Sequence, residues 1–289
     1  VASYEVERIL PVQNRLGEGP LWSVDESALY WVDIDGHCFH RYWPATKSVE
    51  RYETEVAVGV LRLRAGDGLV MATRDGFAFW DWQTQSLTFV ADPEADKPES
   101  RFNDGGMDRR GRFWAGTMGA GATSSLYRLD PDLSVHTMDT GISVSNGIGW
   151  SPDNRTMYYT DSPLRVIYAY DYDIATGAIT NRRPLVHTPE EEGVPDGLAV
   201  DSEGFIWSAR WDGWRIARYD PTGKLEREIR MPVQRPTACA FGGAGLNELY
   251  ITSASVGIGD EAKKSQPFAG DVFRVVTDVK GLPEPAFAG

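Results

Sequence analysis

The sequence predicts an all-β chain folded as a six-bladed β-propeller, with four antiparallel strands per blade and the last blade closed by the N-terminal strand. Three observations predict it. Apolar segments recur at intervals of 40 to 50 residues, anchored on Gly19, Gly59, Gly105, Gly147, Gly197 and Thr237. Most anchors are followed by a polar turn, a second apolar segment, a short loop, and a third segment rich in aromatic residues. Four strands in each of six such units is the pattern of propeller blades, and a β-sandwich gives no reason for six units in register. Composition agrees: aromatic residues make up 11% of the 289, and 30 Gly and 17 Pro supply frequent turns between strands.

The strands can be read off in order. The first segments are EGPLW, VGVLRL, DGGMD, NGIGWS, DGLAVD and PTACAF, each marked by a turn residue. The second are ALYWVDI, LVMAT, RFWAGT, TMYYTD, FIWSAR and ELYITS, and the third CFHRYW, FAFWDW, SLYRLD, VIYAYD, RIARYD and VFRVV. A fourth, more polar segment ends five units: VERYET, LTFVAD, SVHTMD, ITNRRPL and LEREIRM. The sixth unit stops after VFRVV. The N-terminal YEVERILPVQ resembles LEREIRMPVQ, so it supplies the missing strand and closes the ring. No linker or low-complexity stretch divides the chain, and residues 1–289 read as a single propeller domain.

Several functional classes are excluded at this level. The formal net charge of −13 argues against a nucleic-acid partner, which needs clustered Lys and Arg. No apolar run approaches the ~20 residues of a membrane span, and the first ten residues contain no signal-peptide core. The expectation is a soluble, cytoplasmic protein, with no oligomer predicted. Cys38 and Cys239 are too few for a disulfide framework and are expected to be buried, reduced thiols.

The innermost strand of every propeller blade lines the central channel, so residues at one repeat position meet near the axis on one face. The residues preceding the six anchors are Glu18, Val58, Asp104, Asn146, Asp196 and Pro236. Four bear side-chain oxygens and three of these are acids. Unpaired acids converging on an axis repel and are costly to bury, and a cation resolves the conflict. Carboxylate and amide oxygens suit Ca²⁺, Mg²⁺ or Mn²⁺, and Fe²⁺ and Zn²⁺ also accept carboxylates. The competing reading is that Asp-Gly and Asn-Gly are turn dipeptides. The loops between second and third strands return to the same face, as does the segment 93–103, which carries Arg101 and Asn103. A cation beside an Arg, an Asn and aromatic rings suits a small polyhydroxy ligand bearing a carbonyl. Arg101 has an alternative as a surface ion pair with Glu99 or Asp104.

The motifs LGEGPLW at 16–22, RFNDGGMDRRGRFWAGTM at 101–118, VSNGIGWSPDNRTMYYTDS at 144–162, PDGLAVDSEGFIWSARW at 195–211 and RPTACAFGGAGLNELYITSA at 235–254 resemble the gluconolactonase/regucalcin (senescence marker protein) family. The resemblance spans nearly the whole chain. It implies one divalent cation (Ca, Mn, Zn or Fe(II)) held by Glu18, Asn146 and Asp196, with substrate contacts from Arg101 and Asn103. Family members with sugar-lactone activity can place an acidic substrate contact after the GTM motif, and here Gly119 to Ser125 contains no acid.

The resemblance implies a metal-dependent lactonase that opens an aldonolactone, such as xylonolactone, arabinonolactone or gluconolactone, to the aldonic acid. The partner is then a small-molecule sugar lactone, with Asp196 as candidate catalytic base as well as ligand. Alternatives are a phosphotriesterase acting on organophosphates and a non-catalytic calcium-binding regulator. The chain has no GxSxG elbow and no CxxC or HExxH motif. His37 lies on the expected mouth side and is a possible ligand contact. His40, His136 and His187 read as ordinary strand or loop residues.

Overall fold

The computed structural model of the chain describes residues 4–289. It contains six antiparallel sheets of four strands each. Blade 1 consists of Gly17–Ser23, Ala28–Asp33, Cys38–Trp43 and Ser48–Glu53. The innermost strands of blades 2 to 6 are Val58–Leu63, Arg101–Met107, Ser145–Trp150, Val194–Val200 and Pro236–Gly242. In blade 6 the fourth strand is Val6–Leu10, which pairs with Val272–Val276 and places Arg8 opposite Phe273. The ring is therefore closed by the N-terminus, as the likeness of YEVERIL to LEREIRM predicts.

Burial falls from axis to rim, as the strand compositions dictate. All seven residues of Gly17–Ser23 are buried, whereas five of the six in Ser48–Glu53 are exposed. Side chains alternate across each strand, so a blade gives one face to each neighbour, and the core is a set of layers between blades. Leu21, Tyr30 and Phe39 of blade 1 pack on Val58, Leu61 and Met71 of blade 2. Trp114 of blade 3 meets Trp150 of blade 4 at 5.9 Å between ring centroids.

The anchor glycines depart from the turn reading. They lie inside strands, and in five of the six blades the ladder slips across the anchor: between Glu18 and Leu21, Val58 and Val60, Ser145 and Ile148, Pro195 and Leu198, and Pro236 and Cys239, whereas in blade 3 it slips just ahead of it, between Phe102 and Asp104. Such bulges add a residue and redirect the local side chains. Glycine is required by close approach around the axis. A Cβ on Gly147 would lie 2.5 Å from the backbone N of Leu198 in blade 5, and one on Gly197 would lie 2.4 Å from Cβ of Ala238 in blade 6.

The C-terminal segment, absent from the repeat, straps the face at the far ends of the innermost strands. Gly281 N donates to Leu246 O at 2.7 Å, Phe287 N to Leu63 O at 2.8 Å, and Ala288 N to Gly111 O at 3.1 Å. Phe287 is wholly buried in the layer between blades 2 and 3. No helix among the described residues is long and apolar enough to cross a membrane.

Candidate metal and substrate site

The loop between second and third strands bonds back to the chain just ahead of the innermost strand in several blades. Ile34 N donates to Leu16 O, Arg74 N to Ala57 O, Ser162 N to Val144 O, and Ala254 N to Arg235 O, at 2.8 to 3.2 Å. These loops therefore gather on the face where the innermost strands begin, as expected from two strand reversals. In blades 1 and 4 an aspartate ending the second strand tightens the corner. Asp33 accepts the backbone N–H groups of Arg15 and Leu16, both at 2.9 Å. Asp161 accepts those of Ser143 and Val144 at 3.1 and 3.2 Å. The two corners fix the backbone immediately before Glu18 and Asn146. The repeated VDI and TDS at the ends of the second strands are the sequence signal for them.

Glu18, Asn146 and Asp196 are buried at 4–6% exposure, as is Asp104. Burial first, and then the charges of Asp196 and Asp104, push the Glu18 carboxyl well above the usual carboxylate range. Asp196 is pushed up strongly by burial and then by Asp104, against the opposing effect of Asn146. Asp104 is raised by burial, partly offset by Arg62. Asp104 differs in its charged neighbours: its Oδ1 accepts the N–H of Gly105 at 2.7 Å, and Arg62, which offsets its raised pKa, pairs with Glu284 of the strap at 3.0 Å. Among the described residues no group of three or more His, Cys, Asp or Glu side chains is arranged to hold a metal ion. Asn146 adds an amide oxygen to the carboxylates on this ring.

Two oxygens mark the place. Asn146 Oδ1 and Asp196 Oδ1 are buried and have no hydrogen-bond partner. Orphaned buried acceptors beside raised carboxyls are expensive unless a cation or proton meets them. The donor set, two carboxylates and an amide, is chemically suited to a hard divalent ion.

Arg101 is half-buried and forms no ion pair among the described residues, so neither Glu99 nor Asp104 pairs with it. Its Nη1 donates to Phe102 O at 2.9 Å and to Asn103 Oδ1 at 2.8 Å. Burial lowers its pKa while Asp35 and Glu18 oppose the shift. Asn103 in turn donates from Nδ2 to Ser145 O at 2.8 Å, across to blade 4. Both ends of the Asn103 amide are engaged, so it holds Arg101 in place. The segment ahead of Arg101 is pinned by buried Glu94, which accepts from Lys97 Nζ at 2.8 Å and Tyr127 Oη at 3.0 Å. Burial would raise the Glu94 carboxyl, but these donors and Ser100 hold it below its usual value. A pocket of about 10 Å³ between Arg74, Arg101, Ser100 and Thr117 has room for about one water. A larger cavity of about 100 Å³ lies at the opposite face beneath the strap, lined by Trp22, Trp150, Phe241, Arg62, Arg109 and Glu284. Glu284 is the one acid in its lining, whereas Glu18, Asp104 and Asp196 are buried on the axial ring.

The other candidates fall outside this group. His37 is exposed, in a turn with φ of 50°. His40 is buried and stacked on Trp31 at 4.6 Å. His136 sits 3.3 Å from Asp130 in blade 3, and His187 is exposed. Cys38 and Cys239 are buried free thiols, and burial pushes Cys239 up to about 12.

Residues 16–255 match the family model described as the SMP-30/Gluconolactonase/LRE-like region. The chain belongs to this family. It is similar over the full length of both chains to regucalcin of Danio rerio, at 42% identity. Among solved structures it is similar to a luciferin-regenerating enzyme, with a TM-score of 0.91 and 33% identity over 98% of this chain and 99% of that one. It is also similar to a calcium-binding protein, regucalcin, from Agrobacterium tumefaciens, with a TM-score of 0.95 and 28% identity over 99% of each chain.

Proposed function

We propose that the chain is a divalent-cation-dependent hydrolase of sugar lactones, opening an aldonolactone to its aldonic acid. One observation carries the reading. Glu18, Asn146 and Asp196 come from blades 1, 4 and 5, and are buried together around two orphaned oxygens beside an arginine that lacks an acidic partner. Membership of a family whose description includes gluconolactonase supports it.

The cation, when bound, supplies Lewis-acid polarisation of the lactone carbonyl. Glu18, Asn146 and Asp196 would hold it. Arg101 directs its guanidinium donors at the ring oxygen and hydroxyls, and Asn103 keeps that guanidinium oriented, a contribution of positioning. Asp196 takes the proton of the attacking water on a carboxylate oxygen as the water oxygen bonds to the carbonyl carbon. The ring C–O bond then breaks, and that proton passes to the departing ring oxygen. The new carboxylic acid ionises, so each turnover releases one proton. The acid-free loop at 119–125 leaves xylonolactone, arabinonolactone and gluconolactone as candidate substrates.

The test is proton release from freshly prepared γ- and δ-aldonolactones, with and without chelator. Cation-dependent release above the spontaneous rate supports the reading. Stabilisation by Ca²⁺ with no acceleration on any of these lactones would overturn it in favour of a non-catalytic calcium-binding regulator; the Agrobacterium relative is a calcium-binding protein.

A further inference from the structure

We propose that Ser162 is a positioning residue for the cation site: its hydroxyl sets which way round the Asn146 amide stands. The inference rests on the reading of Asn146 as a ligand. An asparagine amide has an oxygen that can bind a cation and an NH₂ that repels one, and the two ends have nearly the same shape. Something must therefore distinguish them.

The Ser162 hydroxyl does so by a chain of fixed polarity. Its Oγ lies 2.7 Å from the carbonyl oxygen of Pro195. A carbonyl oxygen only accepts, so the single hydroxyl hydrogen is committed there. The lone pairs of Oγ then face Asn146 and require a donor, which Nδ2 supplies at 3.0 Å. Oδ1 is left on the other side, buried and unpartnered. The reverse orientation would set Oδ1 against the Oγ lone pairs and turn the NH₂ toward the cation. The polarity of the network, rather than the shape of the amide, assigns the orientation.

Ser162 is itself held firmly. It is 8% exposed, its N–H donates to Val144 O at 3.2 Å, and its carbonyl accepts from Arg165 N at 2.9 Å. It also joins two blades. Ser162 follows the second strand of blade 4, while Pro195 lies on the innermost strand of blade 5, one residue before Asp196. One hydroxyl thus ties the side chain of one proposed ligand to the backbone beside another. The corner does not need a hydroxyl for folding: blade 1 builds the corresponding aspartate-held corner with Ile34 after Asp33.

The test uses the chelator-stripped full chain, titrated with Ca²⁺ and separately with Mn²⁺, and reads Kd from calorimetry alongside the thermal shift. Loss of an orienting partner behind a metal ligand typically weakens affinity about 10- to 100-fold, so Ser162→Ala is expected to weaken both ions at least about tenfold. Ser162→Thr, which keeps the hydroxyl, is expected to stay within about threefold of the unaltered protein. Asn146→Asp has two equivalent oxygens and no orientation to set. In that background Ser162→Ala should change Kd by less than about threefold, a coupling that a general loosening of the fold would not produce. Equal Kd for the unaltered protein and Ser162→Ala overturns the inference while the metal reading stands. An equal loss from Ser162→Ala in the Asn146→Asp background also overturns it. If the unaltered protein binds neither ion, the metal reading itself fails and takes this inference with it.

Discussion

Arg101 donates from Nη1 to Oδ1 of Asn103 at 2.8 Å, and Asn103 spends its own Nδ2 on Ser145 O of the next blade. The two residues therefore act as one unit, with Asn103 acting through Arg101. Arg101→Ala should lower kcat/KM on the aldonolactone at least about tenfold, about 1.4 kcal/mol of transition-state binding, and leave cation affinity intact. Asn103→Ala should produce part of the same loss, and the double variant should lose less than the product of the two. Steady-state kinetics of the three variants, with cation content measured on each, checks this. Fully multiplicative effects would show that Asn103 meets the substrate independently.

The carboxylates should behave differently from Arg101. Asp196→Asn and Glu18→Gln keep shape and remove charge from a site where burial and neighbouring acids raise both carboxyls, Glu18 through Asp196 and Asp104, and Asp196 through Asp104. In the cation-free protein, removing either charge relieves burial and repulsion, so the melting temperature should hold or rise. Cation-induced stabilisation, which grows with the logarithm of free ion above Kd, should shrink, and lactone turnover should nearly vanish. Differential scanning fluorimetry across Ca²⁺, Mn²⁺, Zn²⁺ and anaerobic Fe²⁺, with proton-release assays, reads all three. Unchanged turnover in Asp196→Asn would remove it from the reaction.

What could be read in the sequence follows from the repeat. Six units in register place residues of one repeat position on one axis, so Glu18, Asp104, Asn146 and Asp196 could be grouped without any local motif. The charged neighbours of each could not be read, and Asp104 has Arg62, which pairs with Glu284 of the strap. The glycines at the anchors look like turn residues in sequence, because close approach of neighbouring blades and a positive φ favour the same amino acid. Gly147 and Gly197 are there for the former. The strap from 277 onward has no counterpart in the other units, so periodicity cannot reveal it. Ser162 was invisible for another reason: a hydroxyl's importance lies in which acceptor holds its hydrogen, and that acceptor, Pro195 O, is 33 residues away.

Ring closure by the N-terminal strand has a measurable consequence. Val6–Leu10 covers the edge of Val272–Val276, and Arg8 pairs with Asp271 at 2.6 Å. Removing residues 1–10 uncovers that edge and opens the ring, so the melting temperature should drop substantially and aggregation rise. Glu7→Ala, which removes an exposed partner of Arg274, should cost less than about 1 kcal/mol. The contrast between truncation and point change, read by thermal unfolding and light scattering, distinguishes closure by the strand from the ion pairs that decorate it. A truncated chain with unchanged melting temperature would contradict closure.

His40 should make the fold acid-sensitive. Burial, assisted by Arg51 and opposed by Asp33, lowers its pKa to about 4. Its ring stacks on Trp31 at 4.6 Å, and its Nδ1 is buried without a partner. An unfolded chain takes up a proton at this residue near pH 6.5 and the folded one resists it until about 4. The unfolded state thus binds more protons between those values, and stability falls as pH drops through that window. The loss approaches about 3 kcal/mol at its end and is absent above pH ~7. The raised carboxyls of Glu18, Asp104 and Asp196 act with the opposite sign in cation-free protein, so the whole-protein profile mixes the two. His40→Phe, which retains an aromatic ring to stack on Trp31, separates them. Urea unfolding at pH 7 and pH 5 should show a smaller acid loss in His40→Phe than in the unaltered chain. Equal losses would mean that His40 already carries its proton in the fold.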